Sequence, residues 1–101
     1  MSALLPPTDV TCHDAQVTLP IPCPPPVARG SVTACLARER TGLAIMPALE
    51  RTLVWPRGAT IPPLTLFTRD VKAALPRGGS VWLVVRYGGV VVASGQVQVV
   101  A

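Results

Sequence analysis

Charged side chains are scarce in this chain of 101 residues: they make up 14% of it, whereas half of the residues are hydrophobic. Soluble domains usually carry about 25% charged residues. So few charges leave too little polar side chain to cover the surface of an ordinary monomer. We therefore expect part of the apolar surface to be covered by a partner.

Long apolar runs are absent as well, because charged residues interrupt each run before the roughly 20 residues that a membrane span requires. The opening residues 1–14, MSALLPPTDVTCHD, contain two acids and neither Lys nor Arg. A secretory signal instead starts with positive charge, followed by an apolar block. We predict that the protein is made in the cytoplasm without a signal peptide and has no membrane span.

Groups that could perform acid–base chemistry are few: one histidine and five carboxylates. Only His13 and Asp14 stand side by side, and neighbours on an extended chain point to opposite faces. They therefore do not readily form a catalytic pair. We predict no catalytic residue and no enzyme activity.

The three cysteines, Cys12, Cys23 and Cys35, form no CxxC pair. Together with His13 they reach the number of ligands of a structural zinc site, but their spacing matches no zinc finger or ribbon. We expect small buried thiols that a cytosolic environment keeps reduced, and neither a metal nor a cofactor.

The net charge of +4 comes from eight arginines and one lysine that are spread along the chain. Nucleic-acid-binding domains gather such cations on one face or along one helix. We therefore do not expect nucleic acid as the partner, and a nucleic-acid-associated basic module is kept only as a minor alternative.

Proline is abundant, with 12 residues, and its positions divide the chain. Residues 1–8, MSALLPPT, are apolar without a helical or alternating period, which predicts an extended N-terminal arm. Leu4 and Leu5 of this arm should dock on a neighbouring chain or on the flank of their own domain. Residues 9–101 then form a single β domain with a Pro-rich connector at 20–26, where five prolines remove backbone donors.

Short strands are predicted at 16–19 and 51–55. Residues 31–47 fit either one helix or two strands that turn at 39–42, and the β-branched residues favour the strands.

One short helix is predicted within 67–76, FTRDVKAALP, with Thr68 as its capping residue. The motifs WPRG at 55–58 and LPRG at 75–78 predict turns in which proline takes the second position and glycine provides a positive φ.

The clearest pattern predicts a β-hairpin over 80–100 that turns at Gly88-Gly89, with Tyr87 opposite Val90. We expect a β-bulge at Ser94-Gly95. With Tyr87 opposite Val90, one face of the hairpin carries Val81, Leu83, Val85, Val90 and Val92, and the other carries Trp82, Val84, Arg86, Val91 and Ala93. The bulge then turns Gln96 and Gln98 outward and brings Val97 and Val99 inward.

Both faces of this hairpin are largely apolar, and a core on both sides of a sheet is hard to build from about 100 residues. We therefore expect another chain to cover the second face. The predicted partner-binding residues come from the arm and from this face: Leu4, Leu5, Trp82, Val84, Arg86 and Val91.

The second half of the chain contains RGATI at 57–61 and FTRDVKAALPRGGSVWLVVRYGGVVVASGQV at 67–97, with two Arg-Gly turns, a short helical link and a closing hairpin. In these features it resembles the SAF, or β-clip, module found at the end of flagellar P-ring assembly chaperones. The resemblance implies a β-clip fold and the role of an assembly chaperone or adaptor. The β-clip fold is also similar to that of some phage head decoration proteins, which fit an unexported chain with an arm better than exported chaperones do. An immunoglobulin-like sandwich explains the valine pattern equally well.

The sequence thus predicts an all-β protein: a small β-sandwich or β-clip with a C-terminal hairpin, one short helix and an extended N-terminal arm. Its expected function is that of a non-enzymatic structural or assembly protein, foremost a virion component such as a capsid decoration, cement or tail-associated protein. Its expected partners are copies of itself, a larger structural protein, or both. The alternative is a SAF-type assembly chaperone or adaptor.

Overall fold

A computed structural model describes residues 3–100 and has the small all-β fold, with one short α-helix, that the sequence predicts. Residues 1 and 2 of the predicted arm and residue 101 lie outside the described part. The elements are β1 (Ala3–Leu4), β2 (Thr8–Thr11), β3 (Gln16–Leu19), β4 (Gly30–Ala37), a 3₁₀ turn (Pro47–Leu49), β5 (Glu50–Trp55), β6 (Leu64–Phe67), α1 (Thr68–Ala74), β7 (Gly79–Tyr87) and β8 (Val90–Val100).

The strands form two sheets. The larger sheet has the order β1-β8-β7-β4-β5, with β2 also paired to β8, and the smaller sheet consists of β3 and β6. All pairs are antiparallel except those of β1 and β2, which run parallel to β8 one after the other. The first strands of the chain therefore protect the edge of β8.

The core lies between one face of the larger sheet, its inner face, and the smaller sheet with α1. Alternate residues of the smaller sheet point inward, as Val17 and Leu19 do on β3, because side chains alternate between the two faces of a strand. Other fully buried members of this core are Val32, Leu36, Leu49, Trp55, Leu64, Leu66, Val71, Val81, Val85 and Val97.

The C-terminal hairpin has the predicted turn but a different bulge. Tyr87 pairs with Val90, and Gly88 and Gly89 both have positive φ, at 59° and 83°. The extra residue is Val92, because Arg86 pairs with Val91 and Val85 pairs with Ala93. Ala93 therefore lies with Val85 in the main core, and its expected place on the face of Trp82 and Val84 is wrong. The bulge thus lies beside the turn. It brings Val97 and Val99 into the core and leaves Gln96 and Gln98 exposed, as expected.

Gly95, where the bulge was expected, is in regular register opposite Leu83. The expected position is wrong: the absence of a side chain at Gly95 instead allows the N-terminal arm to approach β8 closely. The predicted strands at 16–19 and 51–55 are confirmed as β3 and β5, with the latter starting at residue 50.

Two further local expectations are corrected. Thr68 does not cap the helix: it is buried, and its hydroxyl donates a hydrogen bond to the carbonyl oxygen of Asp14, which ties α1 to the loop before β3. In 31–47 the first strand forms as β4, but the second is reduced to a single bridge between Ala37 and Ala44. The backbone instead passes over the sheet, where Arg86 of β7 binds the carbonyl oxygens of Thr41 and Gly42, and Ala44 packs on a small apolar cluster.

The two Pro-Arg-Gly turns differ in register. In LPRG the amide of Gly78 bonds to the carbonyl oxygen of Leu75 at 3.0 Å, so proline takes the predicted second position. In WPRG the bond runs from Ala59 to Pro56 at 3.1 Å, so proline takes the first position instead. Within residues 3–100, no helix is long and apolar enough to cross a membrane.

Candidate interaction surfaces

The outer face of the larger sheet, opposite the core, carries a second and smaller apolar cluster. Cys35, Ala37 and Val84 form it, and each is at most 1% exposed. Residues 38–46, which we name the covering loop, leave the end of β4 and return to the sheet through the bridge at Ala44. The covering loop therefore covers the middle of the outer face. The sequence had predicted that another chain would cover this face.

Arg86 fixes the covering loop. Its Nη2 donates to the carbonyl oxygens of Thr41 at 2.9 Å and of Gly42 at 2.7 Å, while its Nη1 lies 3.8 Å from the sulfur of Cys35. Hydrogen bonds with a charged donor are about twice as strong as neutral ones. Arg86 is therefore committed to contacts within its own chain, and it holds the tip of the loop in one place.

Apolar side chains remain accessible around this loop. Leu43, beside the two carbonyl groups that Arg86 binds, is 82% exposed. Leu4 pairs with Ser94 in the β1–β8 ladder, so it lies on the outer face, and it is 66% exposed. Trp82 and Val91 are half-buried against the small cluster. We name Leu4, Leu43, Trp82 and Val91 the outer-face patch.

The six predicted partner-binding residues occupy three kinds of place. Leu4, Trp82 and Val91 lie in the outer-face patch, and Arg86 lies among them with its guanidinium group bound to the covering loop. Val84 is buried under that loop, and Leu5 is buried in the main core, so neither side chain is presented to a partner. Sequence reasoning missed Leu43 because its segment was assigned to a strand.

The arm is attached to β8 by an unusually close contact. The amide of Leu5 donates to the carbonyl oxygen of Ser94 at 2.7 Å, and the Leu5 side chain enters the main core. A Cβ atom built on Gly95 would lie only 2.7 Å from the Leu5 Cβ atom. We name this place on β8, at Ser94 and Gly95, the arm slot: the missing side chain of Gly95 makes room for Leu5.

Two grooves lie elsewhere on the surface. One, of about 480 Å³, runs between residues 12–15 and the start of α1, and the Arg69 guanidinium lies 5.0 Å from the centre of the Phe67 ring beside it. The other, of about 450 Å³, is formed mainly by prolines of the connector and of 60–63. Burial raises the pKa of the Cys23 thiol in this second groove.

The remaining titratable groups of interest are thiols. Burial raises the pKa of the Cys35 thiol, Arg86 opposes this, and the carboxylate of Glu50 adds to it. A buried thiol with a raised pKa is protonated near neutral pH and therefore a poor nucleophile. In the described residues 3–100, no three His, Cys, Asp or Glu side chains are grouped so that they could hold a metal ion.

No family model matches this chain, and no curated protein or solved structure matches it.

Proposed function

We propose that this protein is a non-enzymatic structural or assembly protein that docks through its outer-face patch and its arm, as a component of a virion or a similar symmetric particle. Capsid decoration, cement and tail-associated roles all fit this proposal. Copies of the chain itself, a larger structural protein, or both would be the partners.

The observation that carries the proposal is Leu43, which is 82% exposed on a loop whose position is fixed. Arg86 binds two carbonyl groups of this loop, and the Arg40 side chain donates to the Ser94 hydroxyl at 3.5 Å. A leucine presented by an ordered loop loses little conformational entropy when a partner buries it. The fixed loop thus supplies a preorganised apolar anchor.

The surroundings of Leu43 have the composition of an interface. Arg38, Glu39 and Arg40 surround the apolar tip with charge, and protein interfaces commonly combine an apolar centre with a polar rim. Leu4 and Trp82 add apolar area on the same face of the sheet. A partner that buries this apolar area would also account for the low fraction of charged residues in the chain.

The alternative is a SAF-type assembly chaperone or adaptor that binds its partner reversibly. It is supported by the resemblance of the second half of the chain to that module. A nucleic-acid-associated module is the minor alternative, and it would bind less tightly as salt is raised.

Light scattering after size exclusion tests the proposal on the full chain over a range of concentrations. The mass of the wild type should rise above that of one chain, and Leu43→Ser should return it toward one chain. The matched control is Val54→Ser, because Val54 is 69% exposed but lies on β5 at the far edge of the sheet, so the assembly should persist. A wild type that keeps the mass of one chain at every concentration would contradict self-assembly and favour the adaptor.

A further inference from the structure

The arm slot is complementary to a short segment at the start of the described chain. Residues 3–5 are held by the two-residue strand β1, by the bond from the Leu5 amide to Ser94, and by the Leu5 side chain over Gly95. The slot accepts this segment because, at Ser94 and Gly95, β8 has a strand edge that only the arm pairs with, next to a position without a side chain.

A hinge separates these residues from the rest of the edge. Leu4 pairs with Ser94 and Thr8 pairs with Val97, so four steps along the arm match three steps along β8. The ladder is therefore interrupted at Pro6-Pro7, and proline has no amide hydrogen with which to repair it. Residues 3–5 can leave β8 while β2 stays paired, because no ladder bond spans the hinge.

The arm slot is also continuous with the outer-face patch. Leu4 belongs to both, and its ladder partner Ser94 accepts the hydrogen bond from Arg40 of the covering loop. A second copy that docks on the outer-face patch would therefore bring its own arm close to this slot.

We infer that the arm slot binds residues 3–5 of a second copy, so that neighbouring chains exchange their arms. This inference rests on the proposed self-assembly and names its partner and its place. Exchange costs little because the same contacts form between chains as within one chain. The docked patch raises the local concentration of the neighbour's arm, which favours exchange over the isolated, self-filled form.

Disulfide trapping between two differently tagged full-length variants tests the inference. One chain carries Leu4→Cys and the other Ser94→Cys. These positions are ladder partners, and neighbouring strands lie about 4.8 Å apart, which is within the Cα spacing of about 4.4–6.8 Å that a disulfide needs. After mixing and mild oxidation, a product with the summed mass of both tagged chains should form and increase with concentration.

Three controls define what that product means. Leu4→Cys and Ser94→Cys in one chain should close within the chain, which verifies the geometry. Each single variant alone gives the background from Cys12 and Cys23, which are both only half-buried. Val54→Cys mixed with Ser94→Cys should give no more than this background, because Val54 is as exposed as Leu4 but lies at the other edge of the sheet.

The mixed product above background supports arm exchange, and its loss when Gly95→Ala is added to the Ser94→Cys chain would assign it to the slot. Closure only within the chain overturns the inference.

If light scattering still gives an assembly that Leu43→Ser dissolves, the proposed function stands without exchange. A single-chain mass with no mixed product overturns both. If circular dichroism shows that Ser94→Cys is unfolded, the same experiment is done with the other ladder pair of β1 and β8. One chain then carries Ala3→Cys and the other Ala93→Cys.

Discussion

Gly95→Ala is the substitution for which the structure gives the most definite expectation. The backbone of Gly95 does not have a positive φ, so alanine meets no conformational penalty there. Its Cβ atom would nevertheless lie 2.7 Å from the Cβ of Leu5, with the Leu5 carbonyl oxygen at 3.3 Å. Favourable carbon–carbon contacts are about 3.5–4.0 Å, so the two groups overlap by about 1 Å.

Two responses are available, and both destabilise the fold. If the arm stays, overpacking costs about 1–3 kcal/mol. If the arm leaves, the chain loses the burial of Leu5, about 1.5–3 kcal/mol, and the hydrogen bond to Ser94, about 1 kcal/mol, but regains part of the entropy of the freed residues. The free energy of unfolding should therefore fall by about 1–3 kcal/mol. A fall of 1 kcal/mol lowers Tm by about 4–8 °C in a domain of this size.

Urea unfolding followed by circular dichroism measures this loss, and a double-mutant cycle with Leu5→Ala identifies its cause. Leu5→Ala alone should cost about 2–5 kcal/mol. In a chain that already carries it, Gly95→Ala should cost less, because the arm is already loosened and contacting residues are not additive. Gly42→Ala is the comparison: it makes the same chemical change on the covering loop, where the added Cβ would lie 3.2 Å from the Glu39 Cβ, so it should cost less than the 2.7 Å contact at Gly95. Unchanged stability for Gly95→Ala, or additive effects with Leu5→Ala, would refute the arm slot.

Two further predictions concern the covering loop and the thiols. Arg86→Ala removes both bonds to the loop, each worth about 1.5–3 kcal/mol, and about 1.4 kcal/mol changes an equilibrium tenfold. A thiol reagent should therefore label Cys35, 1% exposed in the wild type, at least about tenfold faster. Loss of the Arg86 charge also raises the pKa of this thiol and offsets part of the gain, whereas Arg69→Ala should leave the labelling rate unchanged. Equal rates in wild type and Arg86→Ala would contradict the role of Arg86. Because burial raises the pKa of Cys23 and Cys35 in the folded chain, the unfolded chain releases these thiol protons first. Stability is therefore retained below the ordinary thiol pKa of 9.0 and should fall above it, until the folded thiols also ionise. For the buried Cys35 the fall is at most about 1.4 kcal/mol per pH unit, and for the partly exposed Cys23 it is smaller because solvent screens the thiolate. Urea unfolding at about pH 8 and about pH 10 measures this fall, which Cys35→Ser should reduce; an equal fall in Cys35→Ser would assign it to other groups.

Features set by neighbouring residues could be predicted from the sequence. Gly88-Gly89 selects a turn with two positive φ angles, and that turn sets the pairing of Tyr87 with Val90. The prolines of 20–26 exclude a ladder, and the structure has no strand there. Each of these outcomes depends on chemistry within a few residues.

Features set by distant residues could not be predicted. Thr68 has the side chain of a helix cap, but its hydroxyl instead donates a hydrogen bond to a carbonyl oxygen 54 positions away. The Ser-Gly pair at 94–95 suits a bulge locally, and only the arm from the other end of the described chain shows why Gly95 is needed. For the same reason the sequence indicated Leu4 and Trp82 but not Leu43, whose exposure depends on where Arg86 places the loop.

The parallel pairing of β2 with β8 has a consequence for how the protein is made. Thr8 and Val97 are about 90 positions apart, and closing so long a loop carries a large entropic cost before any contact rewards it. During synthesis β2 emerges well before its partner, so Leu5 and Val10 stay without their core contacts until β8 has been translated and has paired with β7. We therefore expect the hairpin of β7 and β8, whose strands are neighbours in sequence, to form before the edge that β1 and β2 close. When a cell makes many copies at once, the edge of β8 is most accessible to the arm of another chain during this interval.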